Sequence, residues 1–217
     1  MNENKGVFIS FEGGEGGGKS TQIKLLAEKL EKAGQQVVVT REPGGTREAE
    51  KIRELLVQRD GGNWSETAEC LLFFAARTMH VRDLIKPALD AGKVVLCDRF
   101  TDSTRAYQSY GHGFSLETLE AIKEISIGEF EPDITLILDI DPRAGIGRST
   151  GRNAQIRKNE SETEDRFERL DLSFHERLRE GYLNIAKNNP ERCFVLDASK
   201  NIEDLSKDIQ RIVLSRL

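Results

Sequence analysis

The sequence predicts an α/β fold, a parallel sheet wound on both faces by helices, and three observations carry that expectation. Short apolar runs recur along the chain with helical patterns between them, the alternation that builds strand–helix–strand units. The runs are continuous rather than alternating, as parallel strands covered on both faces require. One run also leads directly into a glycine-rich loop and an amphipathic helix, and folds of this kind bind ligands outside the carboxyl ends of their strands.

The elements follow in order. Residues 7–11 (VFISF) form the first strand, and the stretch after the loop places Ile23, Leu26, Ala27 and Leu30 at helical spacing before a stop at Gly34. Four more strands are expected at 37–40, 94–98, 135–140 and 193–197, giving five. Helices are expected at 48–58, 67–91, 116–127, 165–187 and 202–216. In the last, Leu205, Ile209, Ile212 and Val213 make one apolar stripe, which is core packing without functional content. No linker or internal repeat interrupts the pattern, so 1–217 reads as a single domain long enough for a substantial core.

Composition removes several classes of function. A net charge of −5 argues against coating nucleic acid. No stretch is long and apolar enough to span a bilayer, and MNENKG is too polar and short for a secretory signal, so no membrane role and a cytoplasmic location are expected. Cys70, Cys97 and Cys193 are an odd number without close spacing, which predicts buried free thiols rather than a disulfide or a zinc site.

The loop carries the first chemistry. Gly13, Gly18, Lys19 and Ser20 match G-x-x-x-x-G-K-[ST] in the strand–loop–helix setting that motif requires. A flexible linker would not stand between a core strand and an amphipathic helix, and Lys19 occupies the place where a dinucleotide fingerprint needs its third glycine. Backbone N–H groups of Gly14, Glu15, Gly16, Gly17, Gly18, Lys19 and Ser20 can point into one concavity, with the helix that continues through Thr21 adding its positive end. Lys19 supplies a mobile charge for the outer phosphates, and the Ser20 hydroxyl is placed to ligate Mg²⁺. The loop predicts a bound nucleoside triphosphate and leaves the reaction open.

The other carboxyl ends supply the remaining candidates. Asp98, ending a buried strand, stands where a phosphate-loop enzyme places its Mg²⁺-organising carboxylate, with Arg99 offering a guanidinium to the same crevice; the alternative is a strand-end Asp–Arg salt bridge. Residues 40–46 (TREPGGT) end another strand with Arg41, Glu42, Pro43 and Gly44, and Arg53 on the next helix can face the same crevice, or both arginines are solvated surface charge. Phe73 and Arg77, one helical turn apart, form a platform for a base, unless Phe73 and Phe74 are both core. The stretch 142–169, with Arg148, Arg152, Arg157 and Lys158, reads as an irregular basic lid over about 142–165, or as a solvated loop.

Taken together and in order, FEGGEGGGKST, TREPGGT, LLFFAAR, DRF followed by DSTRAYQ, and DRFERLDLSFHERLREGY resemble the bacterial type of thymidylate kinase over essentially the whole chain. The resemblance implies a phosphate-loop nucleoside monophosphate kinase fold with a five-stranded parallel sheet, a homodimer, and transfer of a phosphoryl group from ATP with Mg²⁺ to dTMP. It further implies that Phe73 stacks on thymine while Arg77 and Gln108 address its polar edge. Arg53 and Arg99 would hold the dTMP phosphate, with Glu42 and its neighbour Pro43 near sugar and phosphate. Thr104 and Tyr107 would lie beside base and sugar, the tyrosine crowding a ribose 2′-hydroxyl. The family divides by whether its catalytic arginine sits in the phosphate loop or in the lid; here Glu15 occupies the loop position, so Arg148 or Arg152 is the expected lid arginine, acting with Lys19, Glu15 and Arg99. Two rivals are a kinase for another nucleoside monophosphate or a nucleoside, and a nucleotide-operated switch. Against the switch, the sequence contains no guanine-reading N-K-x-D.

Overall fold

The computed structural model describes residues 5–58, 62–156, 166 and 170–217, with side chains from 150 to 156 set aside. Five parallel strands, β1 (Val7–Glu12), β2 (Val37–Arg41), β3 (Val94–Asp98), β4 (Ile134–Asp139) and β5 (Cys193–Asp197), form one sheet in the order β2-β3-β1-β4-β5. Around it lie α1 (Lys19–Lys32), α2 (Arg47–Val57), α3 (Glu66–His80), α4 (Lys86–Asp90), α5 (Thr101–Thr104), α6 (Leu116–Ile127), α7 (Pro142–Ile156), α8 (Leu172–Asn188) and α9 (Ile202–Leu214).

Strand periodicity divides the core. Ile9 and Phe11 of β1 pack with Ile23, Leu26 and Leu30 of α1 and Leu205, Ile209 and Val213 of α9. Phe8, between them, points the other way, onto Val81, Ile85, Val95 and Phe100. Register then positions the chemistry: Phe11 pairs with Asp98, and Asp98 with Arg41. The carboxyl ends of β1, β2 and β3 therefore finish side by side. Cys70, Cys97 and Cys193 are buried and free, as expected.

The expected strands lie within one residue of those observed. Three helical expectations need correction. The rod expected over 67–91 is α3, then a π-helical stretch Val81–Ile85, then α4. Pro87 near the start of α4 has no N–H to give the preceding turn, which widens so that the Lys86 N–H reaches the Val81 carbonyl. Helix α8 begins only at Leu172, because Asp171 caps it by accepting from the Phe174 N–H at 2.7 Å. Finally, the first part of the expected irregular lid is a helix, α7, that packs against α8; residues 157–165 of that lid lie outside the described residues.

Candidate active site

The phosphate loop is shaped by positions where only glycine fits. Gly13 has φ +123°, and a Cβ there would stand 2.5 Å from the Leu138 carbonyl oxygen of β4. Gly16, at φ +69°, lies against the backbone of Gly145 in α7. The loop thus threads between β4 and α7 before Gly18 leads into α1, whose N-terminus has no side-chain cap. Lys19 is buried at that terminus, its Nζ donating to the carbonyls of Gly13 at 3.1 Å and Gly14 at 2.9 Å. Burial and the neighbouring Arg99 charge push its pKa down, partly offset by Glu15, Asp98 and Glu12.

The two residues ending β3 take separate partners. Asp98 Oδ2 accepts from Ser20 Oγ at 3.0 Å, so the two expected metal ligands meet. Arg99 does not pair with Asp98. Its Nη2 donates to Glu15 Oε1 at 2.7 Å, and its Nη1 to the Gly13 carbonyl at 3.0 Å and to Ser103 and Tyr182 at 3.2 Å each. Its guanidinium also lies 5.0 Å from the Tyr107 ring centre. Arg99 adopts φ +71°, a left-handed conformation costing a non-glycine residue about 1–3 kcal/mol. Those bonds hold it there. Burial pushes the Glu15 carboxyl up, but Arg99, Lys19 and the Tyr107 hydroxyl, which donates to it at 2.8 Å, together hold it at about 2.

Opposite this cluster, Glu42 continues from β2 and is fully engaged. Its Oε2 accepts from Arg77 Nε at 2.7 Å, its Oε1 lies 2.9 Å from His80 Nδ1, and His80 Nε2 lies 2.7 Å from Thr40 Oγ1. Arg77 Nη2 donates to the Phe100 carbonyl at 3.2 Å and Thr104 Oγ1 at 2.9 Å, while the guanidinium sits 4.8 Å from the Phe74 ring centre and 5.1 Å from that of Phe100. The remaining nitrogen, Nη1, is buried with no partner among the described residues. Gln108 is in a similar state: Nε2 donates to Glu69 Oε1 at 3.0 Å, and Oε1 is buried with no partner among the described residues. Arg53 reaches back to the Pro43 carbonyl at 2.7 Å.

One crevice of about 220 Å³ gathers these groups. Glu42, Pro43, Arg53, Phe73, Arg77, Arg99, Thr104, Tyr107 and Gln108 all line it, as do Glu15 to Ser20 and Asp98. The structure thereby separates the two adjacent rings: Phe74 is core and Phe73 faces the crevice. Arg41 is surface charge, paired with Glu50 at 3.1 Å. Gly13 and Gly14 line a smaller cleft behind the loop, and Thr21 is exposed on α1. Arg148 does not line the crevice; its Nη1 donates to the Ala198 carbonyl at 2.9 Å, at the end of β5. The Arg152 side chain, Arg157 and Lys158 lie outside the described residues.

Several participants had not been expected. Glu12, ending β1, is buried and accepts from the Phe100 N–H at 2.8 Å, Ser103 Oγ at 2.5 Å and Tyr182 OH at 3.4 Å. Burial and the Asp102 charge raise its pKa to about 7. Tyr182, His80 and Glu69 also enter the site or its support. In the sequence Glu12 looks like the lead-in to the glycines, and nothing in the spacing ties it to Ser103 and Tyr182.

Comparison with known proteins points to one family. A family model described as thymidylate kinase matches residues 11–209. The chain is 48% identical over 213 residues to a thymidylate kinase of Caulobacter vibrioides, covering 98% of each. It is 50% identical over 214 residues to one of Rhodopseudomonas palustris, covering 98% of this chain and 90% of that protein. Among solved structures, the thymidylate kinase of Ehrlichia chaffeensis superposes with a TM-score of 0.76 at 34% identity, over 96% of this chain and 99% of that one.

Proposed function

The chain belongs to the thymidylate kinase family, and from that premise we propose that the crevice is its dTMP site, facing a phosphate loop that holds ATP. The enzyme phosphorylates dTMP to dTDP, a step toward dTTP, with ATP as donor. The observation that carries the site assignment is the pair of buried polar atoms left over beside Phe73: a donor, Arg77 Nη1, and an acceptor, Gln108 Oε1. Thymine offers the complement, an acceptor at O4 and a donor at N3–H, on a flat ring suited to stacking on Phe73.

The proposed mechanism is positioning and charge neutralisation. The acceptor phosphate is already anionic at neutral pH, so no strong general base is needed. The obstacle is bringing two anions together. Arg99 is fixed by Glu15 and the Gly13 carbonyl at the junction of loop and crevice, where it faces the acceptor phosphate with Arg53. Lys19 can turn from the loop carbonyls to the donor phosphates. Ser20 and Asp98, hard oxygen donors in mutual contact, fit Mg²⁺, and the described residues hold no cluster of three or more His, Cys, Asp or Glu that would bind an ion without the nucleotide. When bound there, Mg²⁺ supplies further neutralisation of the donor phosphates. Tyr107, beside Glu15, narrows the sugar end against a ribose.

We also propose a homodimer, a single domain spanning 1–217 and a cytoplasmic location. Helices α2, α3 and α6 pack in succession and expose Leu55, Leu71 and Ile125, the last 89% exposed, apolar area suited to a second copy. No helix among the described residues is long and apolar enough to cross a membrane.

The test is diphosphate production from dTMP, dUMP, dCMP, AMP and GMP, with ATP and Mg²⁺, in the parent and in Phe73→Ala. Strong preference for dTMP is expected, with dUMP about 10–200-fold worse for one missing methyl. Phe73→Ala should raise the KM for dTMP by up to about tenfold, on the order of one lost stacking contact. An unaltered KM in that variant would remove the crevice from the acceptor role.

A further inference from the structure

A carboxamide can show a ligand either its oxygen or its nitrogen. What fixes the choice at Gln108 lies behind it, away from the crevice. Gln108 Nε2 donates to Glu69 Oε1 at 3.0 Å. A carboxylate only accepts, so the nitrogen must face Glu69 and the oxygen must face away. Glu69 is itself held: it is 4% exposed on α3, and its second oxygen accepts from Arg166 Nη2, while Arg166 Nη1 donates to the Leu56 carbonyl at 2.9 Å. With both oxygens engaged, Glu69 cannot swing aside to let the amide turn over.

We propose that Glu69 is a specificity-determining positioning residue, which locks Gln108 with its acceptor toward the base and so makes the site select a pyrimidine bearing N3–H. This rests on the assignment of Gln108 to the base edge. Arg77 is fixed by the same device: Nε and Nη2 are committed to Glu42, Phe100 and Thr104, leaving Nη1 as a donor. A ring with O4 and N3–H satisfies both leftover atoms. A ring with an amino group at C4 and a bare N3 satisfies neither, and leaves two buried polar groups without partners. Sites that reject by unpaired polar groups can reach about 10⁴–10⁵ in kcat/KM, far beyond what shape alone gives.

The experiment compares kcat/KM for dTMP and 5-methyl-dCMP, which differ only at N3 and C4, in the parent, Glu69→Gln, Glu69→Asp and Gln108→Ala. Glu69→Gln replaces an acceptor-only group by one that can also donate, so Gln108 gains the freedom to turn. The preference for dTMP should fall about tenfold or more, mainly through KM. Glu69→Asp, still acceptor-only, should keep the parent preference even where both KM values rise. Each ratio is taken on one preparation, so a poorly folded fraction cancels. An unchanged ratio in Glu69→Gln overturns the proposal, as does an equal loss in Glu69→Asp. Gln108→Ala separates the two levels. If it leaves the KM for dTMP unaltered, the base-edge assignment fails; if it raises KM while Glu69→Gln preserves the ratio, only the positioning role fails.

Discussion

The two halves of the crevice are made from different materials. The donor half is main chain: glycines, a helix N-terminus and one lysine, contiguous from Gly13 to Ser20. The acceptor half is side chain: Glu42, Arg77, Thr104 and Gln108, drawn from separate elements and each fixed by a buried partner. Phosphates look alike in every nucleotide, and amides around a bend suffice for them. A base is recognised by the pattern of its donors and acceptors, which requires groups that cannot rotate. The contrast predicts that the donor half can be damaged without harming the fold, whereas the acceptor half cannot.

The sharpest way to break that contrast is Lys19→Ala. Turnover should fall about 10³-fold or more, since the charge acts on the transferring phosphoryl. The melting temperature should stay near the parent value, because burial and Arg99 already disfavour the charge. An active Lys19→Ala protein would sink the loop assignment. On the other side, Arg77→Met removes the guanidinium from buried Glu42 and leaves His80 as its remaining side-chain partner, the Arg77–Glu42 pair being 2% and 3% exposed. It should cost about 3–5 kcal/mol in denaturant unfolding. Adding Glu42→Gln should restore much of that stability without restoring dTMP binding. A single variant as stable as the parent would erase the distinction between the halves.

The smallest effect sharpens the seam between them, where two carboxyls, Glu12 ending β1 and Glu15 in the loop, respond to pH with opposite sign. Glu12 sits at about 7, above the ordinary 4.5, so the folded state keeps a proton that the unfolded chain releases. Its contribution to stability is full below pH 4.5 and is lost as pH rises through 7. Glu15, held at about 2, contributes above pH 4.5 and loses that contribution as pH falls through 2. Glu12→Gln should therefore flatten urea-unfolding stability between pH 5 and 7, removing a slope on the order of a few kcal/mol. A parent and variant with parallel pH profiles would show that Glu12 does not hold its proton.

The same contrast explains what was legible in the sequence. The donor half is contiguous, so motif and local pattern locate Lys19 and Ser20 without a structure. The acceptor half converges from residues far apart: strand ends and helical spacing offered Glu42, Arg53, Phe73, Arg77 and Arg99 as open alternatives, and the family resemblance added Thr104, Tyr107 and Gln108. Local pattern could not decide between Phe73 and Phe74; the tertiary packing does, since Phe74 meets Phe114 and Leu119 while Phe73 lines the crevice. Strands were legible because both sheet faces are covered and the runs are unbroken. Helix α7 was not, because Gly145, Gly147 and Gly151 with Ser and Thr lower its local propensity. Packing against α8 overrides that weakness, and the close passage of Gly145 past the Glu15 carbonyl leaves no room there for a side chain. Glu12, Ser103 and Tyr182 meet only through the sheet and α8, and no spacing rule announces them.

The three buried thiols give the molecule an internal clock. Burial raises Cys70 to about 11, Cys193 to about 12 and Cys97 well beyond its ordinary value, so a thiolate-seeking reagent finds neither access nor nucleophile while the chain is folded. Cys97 lies on β3, flanked by β1 and β2, whereas Cys193 lies on β5, an edge strand. Alkylation at each position therefore times a different opening event, edge against interior, without any label having to be engineered in.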